Sequence, residues 1–368
     1  MNNKTFFITG GGTGGHIYPA IAVADELLIA DAQNKIYYVG NPNNLEFSIV
    51  KDKNYEFLPV ISSGMPRKIS FELVKWTCRL LVGWLKCCGY IKKYKPDVIF
   101  GTGGYVSAPV LMAGIVMKVP FVMHDCDANP GLVTRKLSPF AKSISIAFDE
   151  AKNKLNNKNC HVNGNPIRNE FSTLTKEQAR LNLGLENKLT LCIMGGSQGA
   201  QTINNAAVEL LKTLSHDYNL QIIFQTGKKN FDETISKLKT AYPEYEEDKN
   251  LIVRPYFDNM VTVLKASDIA ISRAGSLSIS ELCASAIAPI FIPYPYAAAD
   301  HQRKNAQNIV AKEAGLYLED CDVTPESLME MVKSLVENPE KLQKIQQASL
   351  NLAKFDGVQN IVKQILEV

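Results

Sequence analysis

Short apolar runs alternate with longer amphipathic segments along the whole chain. Thr5–Thr9, Ile36–Val39, Val98–Phe100 and Phe121–Met123 read as buried strands, followed by Leu189–Met194, Gln221–Gln225, Leu251–Val253, Ile269–Ile271 and Ile290–Ile292. Helical patterns separate most of them. Continuous apolar strands alternating with helices predict parallel sheets covered on both faces. The pattern starts twice. Thr5–Thr9 runs into Gly10-Gly11-Gly12-Thr13-Gly14-Gly15-His16 and a helix from about Pro19 to Leu28. Leu189–Met194 runs into Gly195-Gly196-Ser197-Gln198-Gly199-Ala200 and a helix from about Thr202 to Leu214. Two strand–glycine turn–helix openings predict an α/β protein of two Rossmann-like domains facing a cleft. Turn-formers cluster at Asn163-Gly164-Asn165-Pro166, which puts the expected boundary there. The expected domains are therefore 1–163 and 164–344, with a last helix at about 345–368 returning to the first.

Length agrees with this division, because 368 residues suit two cores better than one. Hydrophobic residues make up 46% and charged residues 21%, the balance of a globular chain. A net charge of only +3 gives no support to a nucleic-acid partner. The eight cysteines form no CxxC pair and no histidine cluster accompanies them, so no zinc or other metal site is expected. Cysteines scattered through apolar stretches read as core residues of a reducing compartment. The first residues read as a strand rather than a signal peptide. The uncharged stretch 105–117, which carries Pro109 and Gly114, is shorter than the ~20 residues a spanning helix needs. A cytoplasmic protein with at most peripheral membrane contact is expected.

A glycine turn at a strand end lets backbone N–H groups approach a ligand, and the helix start that follows favours negative charge. A tight turn of any α/β fold would look similar, and glycine spacing by itself is a weak signal. A dinucleotide site needs an acidic residue at the end of the second strand; here that strand ends Tyr38-Val39-Gly40-Asn41-Pro42. No Gly-Lys-Ser/Thr ending is present for a Walker loop. A third cluster, Gly101-Thr102-Gly103-Gly104-Tyr105-Val106-Ser107, follows directly on Val98–Phe100. Three such loops at strand ends argue for a ligand rather than for chance turns.

GGTGGH (11–16), KPDVIFGTGGYVS (95–107), GNPIR (164–168), GGSQGA (195–200), RAGSLSISE (273–281) and DHQRKNA (300–306) stand in this order. Together they closely resemble the MurG family of bacterial UDP-N-acetylglucosamine:undecaprenyl-pyrophosphoryl-muramyl-pentapeptide N-acetylglucosaminyltransferases, over essentially the whole chain. The resemblance implies the two-domain GT-B fold and an inverting, metal-independent glycosyl transfer without a cofactor. It implies UDP-N-acetylglucosamine (UDP-GlcNAc) as donor and a polyprenyl-pyrophosphate-linked muramyl-peptide as acceptor, in cell-wall synthesis at the cytoplasmic face of the membrane. It also implies roles for individual residues. Ser197 would sit at the donor phosphates, with Arg168 adding positive charge and Ser276, Leu277, Ser278, Ile279 and Ser280 forming a helix start beneath the diphosphate. Glu281 would accept the ribose hydroxyls, Phe257 would cup uracil, and Gln302 would bond sugar hydroxyls. Thr13, Gly14 and Gly15 would complete the donor site, and Gly103, Gly104 and Tyr105 would meet the acceptor. His16 is the leading candidate for the base, since imidazole suits neutral pH; His124-Asp125 offers Asp125 as the second catalytic candidate. For any of these, a buried structural residue or an ordinary surface charge is the plainer reading.

One segment departs from the family. Members commonly carry His-Glu-Gln-Asn where this chain has His124-Asp125-Cys126-Asp127. The donor-contacting asparagine thus corresponds to Asp127, and an ionised carboxylate donates no hydrogen bond. Between residues 65 and 95, Trp76, Leu80 and Trp84 recur four apart among cations that include Lys75 and Arg79, with Glu72 alone acidic from Arg67 to Lys95. That combination suits an anionic membrane surface, and an amphipathic helix with inward aromatics is the alternative. Other functions compatible with the pattern are a UDP-N-acetylglucosamine 2-epimerase, a diacylglycerol glycosyltransferase and a non-catalytic nucleotide-sugar-binding regulator.

Overall fold

The computed structural model describes residues 3–53, 55–66, 71–196, 198–297 and 300–368. The chain forms two structural units, one of residues up to Ile167 together with 356–368, the other Arg168–Phe355. The first unit holds a seven-stranded sheet. Its strands are β1 (Thr5–Thr9), β2 (Lys35–Gly40), β3 (Glu56–Pro59), β4 (Val98–Gly101), β5 (Phe121–Asp125), β6 (Ser143–Ile146) and β7 (Cys160–Val162). Their order is β3-β2-β1-β4-β5-β6-β7 and every neighbouring pair is parallel. The second unit repeats the plan with β8 (Thr190–Met194), β9 (Gln221–Gln225), β10 (Leu251–Arg254), β11 (Ile269–Ser272), β12 (Ala288–Phe291) and β13 (Leu316–Tyr317), in the order β10-β9-β8-β11-β12-β13. Both sheets are Rossmann-like, and in each the order reverses beside the first strand of the unit.

The burial of β1 shows why a continuous apolar run is required. Successive side chains leave opposite faces of a strand. Phe6 and Ile8 pack with the Gly14–Ala30 helix, whereas Phe7 packs on the other face with Val110, Leu111 and Cys87. All three β1 residues are fully buried, so a polar side chain at any of them would face a helix layer. The second unit buries Leu191 and Ile193 of β8 with Ile203, Ala207 and Leu211.

The chain comes back to the first unit later than expected. The Pro339–Asn351 helix buries Leu342, Ile345 and Ser349 within the second unit. Only the Gly357–Leu366 helix returns, placing Val358, Ile361, Val362 and Ile365 in the core beside the Gly14–Ala30 helix. Its first residue must be small, because a Cβ on Gly357 would lie 2.8 Å from the Asn163 carbonyl oxygen. Among the described residues, no helix is long and apolar enough to cross a membrane. The uncharged stretch forms the Gly104–Met117 helix, which buries Val106, Val110, Leu111 and Ala113.

Candidate functional site

In the first unit three strand ends bring the expected residues together. The turn after β1 opens the Gly14–Ala30 helix, so Thr13, Gly14, Gly15 and His16 are its cap and first turn. The Nδ1 of His16 lies 2.8 Å from the Thr102 carbonyl oxygen. A carbonyl only accepts, so Nδ1 carries the proton and a neutral imidazole keeps its lone pair on Nε2. The Thr102 hydroxyl donates in return to the His16 carbonyl at 2.6 Å. Gly103 and Gly104 follow with φ of 81° and 72°, in the left-handed region that glycine enters freely. A Cβ on Gly104 would stand 3.1 Å from the His16 Cδ2. One on Gly103 would stand 3.7 Å from the His16 Cε1 and 3.9 Å from the Asp125 Oδ2. The third glycine loop thus lies against both catalytic candidates. Tyr105 covers the first loop, its ring 3.1 Å from where a Gly12 Cβ would be.

Asp125 ends β5 and is buried. Its Oδ1 accepts from the Asp127 amide at 3.2 Å and its Oδ2 from the Gly131 amide at 3.1 Å. Burial, then the neighbouring Asp127 carboxylate, raises its pKa. Its neighbour His124 is tied down at both ring nitrogens. Nε2 donates to the Asn165 Oδ1 at 3.1 Å, and Nδ1 accepts from the Ser145 hydroxyl at 3.1 Å. Burial pushes the His124 pKa down to about 4, so this imidazole stays neutral and links β5 to β6 and to the Asn163–Asn165 segment. Cys126 approaches from the same strand end, its Sγ 3.8 Å from the His16 Nδ1.

The second unit brings Arg168 and Glu281 into contact. The guanidinium Nη2 lies 3.3 Å from the Glu281 Oε1. Burial raises the Glu281 pKa, and Arg168 opposes the shift. Glu281 belongs to the Ser276–Ala284 helix, capped by Gly275. The first intrahelical bond runs from the Ile279 amide to the Gly275 carbonyl, so the amides of Ser276, Leu277 and Ser278 precede the hydrogen-bonded turns, as at any helix start. The Gln302 Oε1 accepts from the amides of Ala274 at 3.2 Å and Tyr294 at 2.9 Å, which turns its amide nitrogen toward other partners. The Phe257 amide donates to the Gln225 Oε1 at 2.9 Å. Ser197 lies outside the described residues. The flanking glycines are closely approached: a Cβ on Gly195 would lie 2.2 Å from the Ala200 amide nitrogen, and one on Gly199 would lie 2.1 Å from the Thr226 carbonyl.

Several residues that organise these loops carry no local signal. Thr102 reaches His16 across 86 positions. Arg273 donates to the carbonyls of Ile292 and Pro293 and pairs with Asp320, tying the ends of β11 and β12 to the segment after β13. Gly227, with φ of 84°, lies back to back with Gly199; a glycine directly after a strand-like run was the available clue.

The tryptophan stripe turns partly inward. In the Phe71–Tyr94 helix, Trp76 is half-buried and donates from Nε1 to the Ser63 carbonyl at 2.8 Å. Trp84 packs with Cys87 and Ile91 against the core, and Leu80 is half-buried. The apolar residues turned outward are Phe71, Val74, Leu81, Val82 and Leu85, all exposed. They share one sector of the helix, on the face opposite the tryptophans. Lys75, Arg79 and Lys86 are exposed beside them, and Arg67 and Lys68 lie outside the described residues.

Comparison with known proteins identifies the family. Residues 6–146 match the glycosyltransferase family 28 N-terminal domain, and residues 190–365 match the corresponding C-terminal domain. A relative from Desulforamulus reducens is 38% identical, over 98% of each chain. One from a Thermoanaerobacter species is 37% identical, over 99% of each. Both are UDP-N-acetylglucosamine–N-acetylmuramyl-(pentapeptide) pyrophosphoryl-undecaprenol N-acetylglucosamine transferases. The crystal structure of MurG from Acinetobacter baumannii superposes with a TM-score of 0.78 at 25% identity, covering 100% of both chains.

Proposed function

This chain belongs to the MurG family of glycosyltransferases, and from that premise we infer how its own residues carry out the reaction. The activity is transfer of N-acetylglucosamine from UDP-GlcNAc to the undecaprenyl-pyrophosphoryl-muramyl-pentapeptide, a step of peptidoglycan synthesis. The observation that carries the mechanism is the His16 tautomer. With Nδ1–H held by the Thr102 carbonyl, Nε2 presents a lone pair beside Gly104. In the proposed step the muramyl 4-hydroxyl oxygen bonds to C1 of the donor sugar, and its proton passes to the His16 Nε2. The bond from C1 to the phosphate oxygen breaks, UDP leaves with the electron pair, and the anomeric centre inverts. A positioned base of this kind contributes about 10²- to 10⁴-fold to such a step.

The second unit supports the donor half of the reading. Glu281 carries two carboxylate oxygens able to accept ribose hydroxyls, and the start of the Ser276–Ala284 helix offers amides and dipole to the diphosphate. Arg168, already at Glu281, adds a fixed cation that offsets charge on the leaving UDP. These groups allow a metal-independent departure. Asp125, whose two carboxylate oxygens accept from the Asp127 and Gly131 amides, holds that turn and is better suited to shaping the site than to taking the proton.

Membrane docking is part of the same reading. Phe71, Val74, Leu81, Val82 and Leu85, flanked by Lys75, Arg79 and Lys86, form an apolar strip with a basic rim suited to anionic lipid at the inner face. In vesicle sedimentation with phosphatidylglycerol, serine at Phe71, Leu81 and Leu85 should abolish binding; equal binding would reject the strip. The deciding assay for the activity is UDP release from UDP-GlcNAc with and without a polyprenyl-pyrophosphoryl-muramyl-peptide. Acceptor-dependent release with formation of a β-linked disaccharide is expected. Donor binding without acceptor-dependent turnover would overturn the transferase reading.

A further inference from the structure

Glu46 is a fully buried carboxylate in the first unit with no part in the chemistry above. A carboxylate removed from water is strongly unfavourable unless its oxygens are hydrogen-bonded. Here both are engaged. Oε2 accepts from the Gly12 amide at 3.2 Å, and Oε1 accepts from the Asn41 amide at 3.1 Å and the Asn44 side-chain amide at 3.3 Å. The carboxylate is packed against the first glycine loop, because a Cβ on Gly11 would stand 2.6 Å from its Oε1. The same turn is held again at its start, where the Tyr38 hydroxyl donates to the Gly10 carbonyl at 2.6 Å.

The connection extends to the third loop. The Asn44 Nδ2 that donates to Glu46 also lies 3.1 Å from the Tyr105 hydroxyl oxygen, and the Tyr105 ring lies over Gly12. His16 is one helical turn past Gly12 and bonds to Thr102, three residues before Tyr105. A glycine-loop amide usually serves an anionic ligand; the Gly12 amide is instead directed inward, at the protein's own negative charge.

We propose that Glu46 is a positioning residue for the transfer reaction: its buried carboxylate locks the Gly10–Gly12 turn and, through Asn44, Tyr105, so that His16 and the acceptor-side loop keep one relative geometry. The inference rests on the assignment of His16 as the base. Glutamine has the same shape, but its amide nitrogen cannot accept, so one of the three N–H donors loses its partner.

The test compares Glu46→Gln, Glu46→Asp and His16→Gln in steady-state transfer, with UDP binding measured by calorimetry. Glu46→Gln should lower kcat at least tenfold and raise the acceptor KM at least threefold, while the Kd for UDP stays within twofold. A merely structural defect would lower the stability of the first unit in tryptophan-fluorescence melts in step with turnover, and that result would overturn the proposal. So would kcat and acceptor KM both within twofold of the wild type. If Glu46→Gln does not fold, Glu46→Asp decides: it keeps the charge but retracts it by one methylene, and wild-type turnover would overturn the proposal, whereas a threefold or larger loss with unchanged UDP binding supports it. Loss in His16→Gln without loss in the Glu46 variants overturns the role of Glu46 alone. Full activity of His16→Gln overturns the base assignment and the role of Glu46 with it.

Discussion

His124 offers a quantitative handle on the first unit. It is fully buried, with both ring nitrogens hydrogen-bonded inside the protein, and its pKa is pushed from 6.5 to about 4 by burial. Between those values the unfolded chain binds a proton there and the folded chain does not. Stability therefore rises with pH across this window. The contribution is fully present above pH 6.5, is lost progressively as pH falls, and is gone below 4. A shift of about 2.5 units corresponds to about 3.4 kcal/mol in total, and to about 2 kcal/mol at pH 5. Both tryptophans of the chain, Trp76 and Trp84, lie in this unit, so their fluorescence reports its unfolding. Urea melts of the wild type and of His124→Gln at pH 7.5 and 5.0 give the comparison. Asp125, whose raised pKa acts in the opposite sense, is present in both proteins and largely subtracts out. The wild type should lose about 2 kcal/mol more than the variant between the two pH values. An equal loss in both, or an imidazole resonance of His124 titrating near pH 6.5, would refute the argument.

The remaining predictions concern single side chains. His16→Gln should lower kcat about 10²- to 10⁴-fold with UDP affinity unchanged, read in the UDP-release assay. Glu281→Gln should weaken UDP binding by about 10- to 150-fold, the effect of about 1.5–3 kcal/mol for a hydrogen bond to a charged group, measured by calorimetry; uridine-independent loss would argue against a ribose contact. Asp127→Asn removes the charge that helps raise the Asp125 pKa and restores a hydrogen-bond donor, so the donor KM should fall, and an unchanged or higher KM would count against a sugar contact there. Ile361→Ala should destabilise the first unit by about 2–5 kcal/mol, because Ile361 is fully buried in its core; a loss below 1 kcal/mol by tryptophan fluorescence would mean the last helix is not integral to that unit.

The strands legible in the sequence are those buried on both faces. Phe6-Phe7-Ile8 and Leu191-Cys192-Ile193 are fully buried and read as continuous apolar runs. The strands that escaped notice are short or partly polar: β3 ends at Pro59, β6 is Ser-Ile-Ser-Ile, β7 has three residues and β13 two. β6 is fully buried all the same, and the Ser145 hydroxyl finds partners inside, in His124 and Asn163. The orientation of the tryptophan stripe is hidden in the sequence for a related reason. Helical spacing identifies which residues share a face, but Trp76-Leu80-Trp84 and Phe71-Val74-Leu81-Leu85 are both apolar sets of one helix. Only packing against Gly83, Cys87 and Ile91, the buried residues of that helix, decides which turns inward.

Local pattern by itself determined two parallel α/β sheets, three glycine loops at strand ends and the family that carries these motifs. Periodicity and turn chemistry act over a few residues, and they leave a record in the sequence. Tertiary structure alone decided which groups meet: the Thr102 carbonyl that sets the His16 tautomer, the Ser145 and Asn165 side chains that keep His124 neutral, and the buried carboxylate of Glu46 beneath the Gly12 amide. These partners are separated by 21 to 86 positions. A hydrogen bond of that span depends on where the sheet brings two strand ends together, and no periodicity of either segment encodes it.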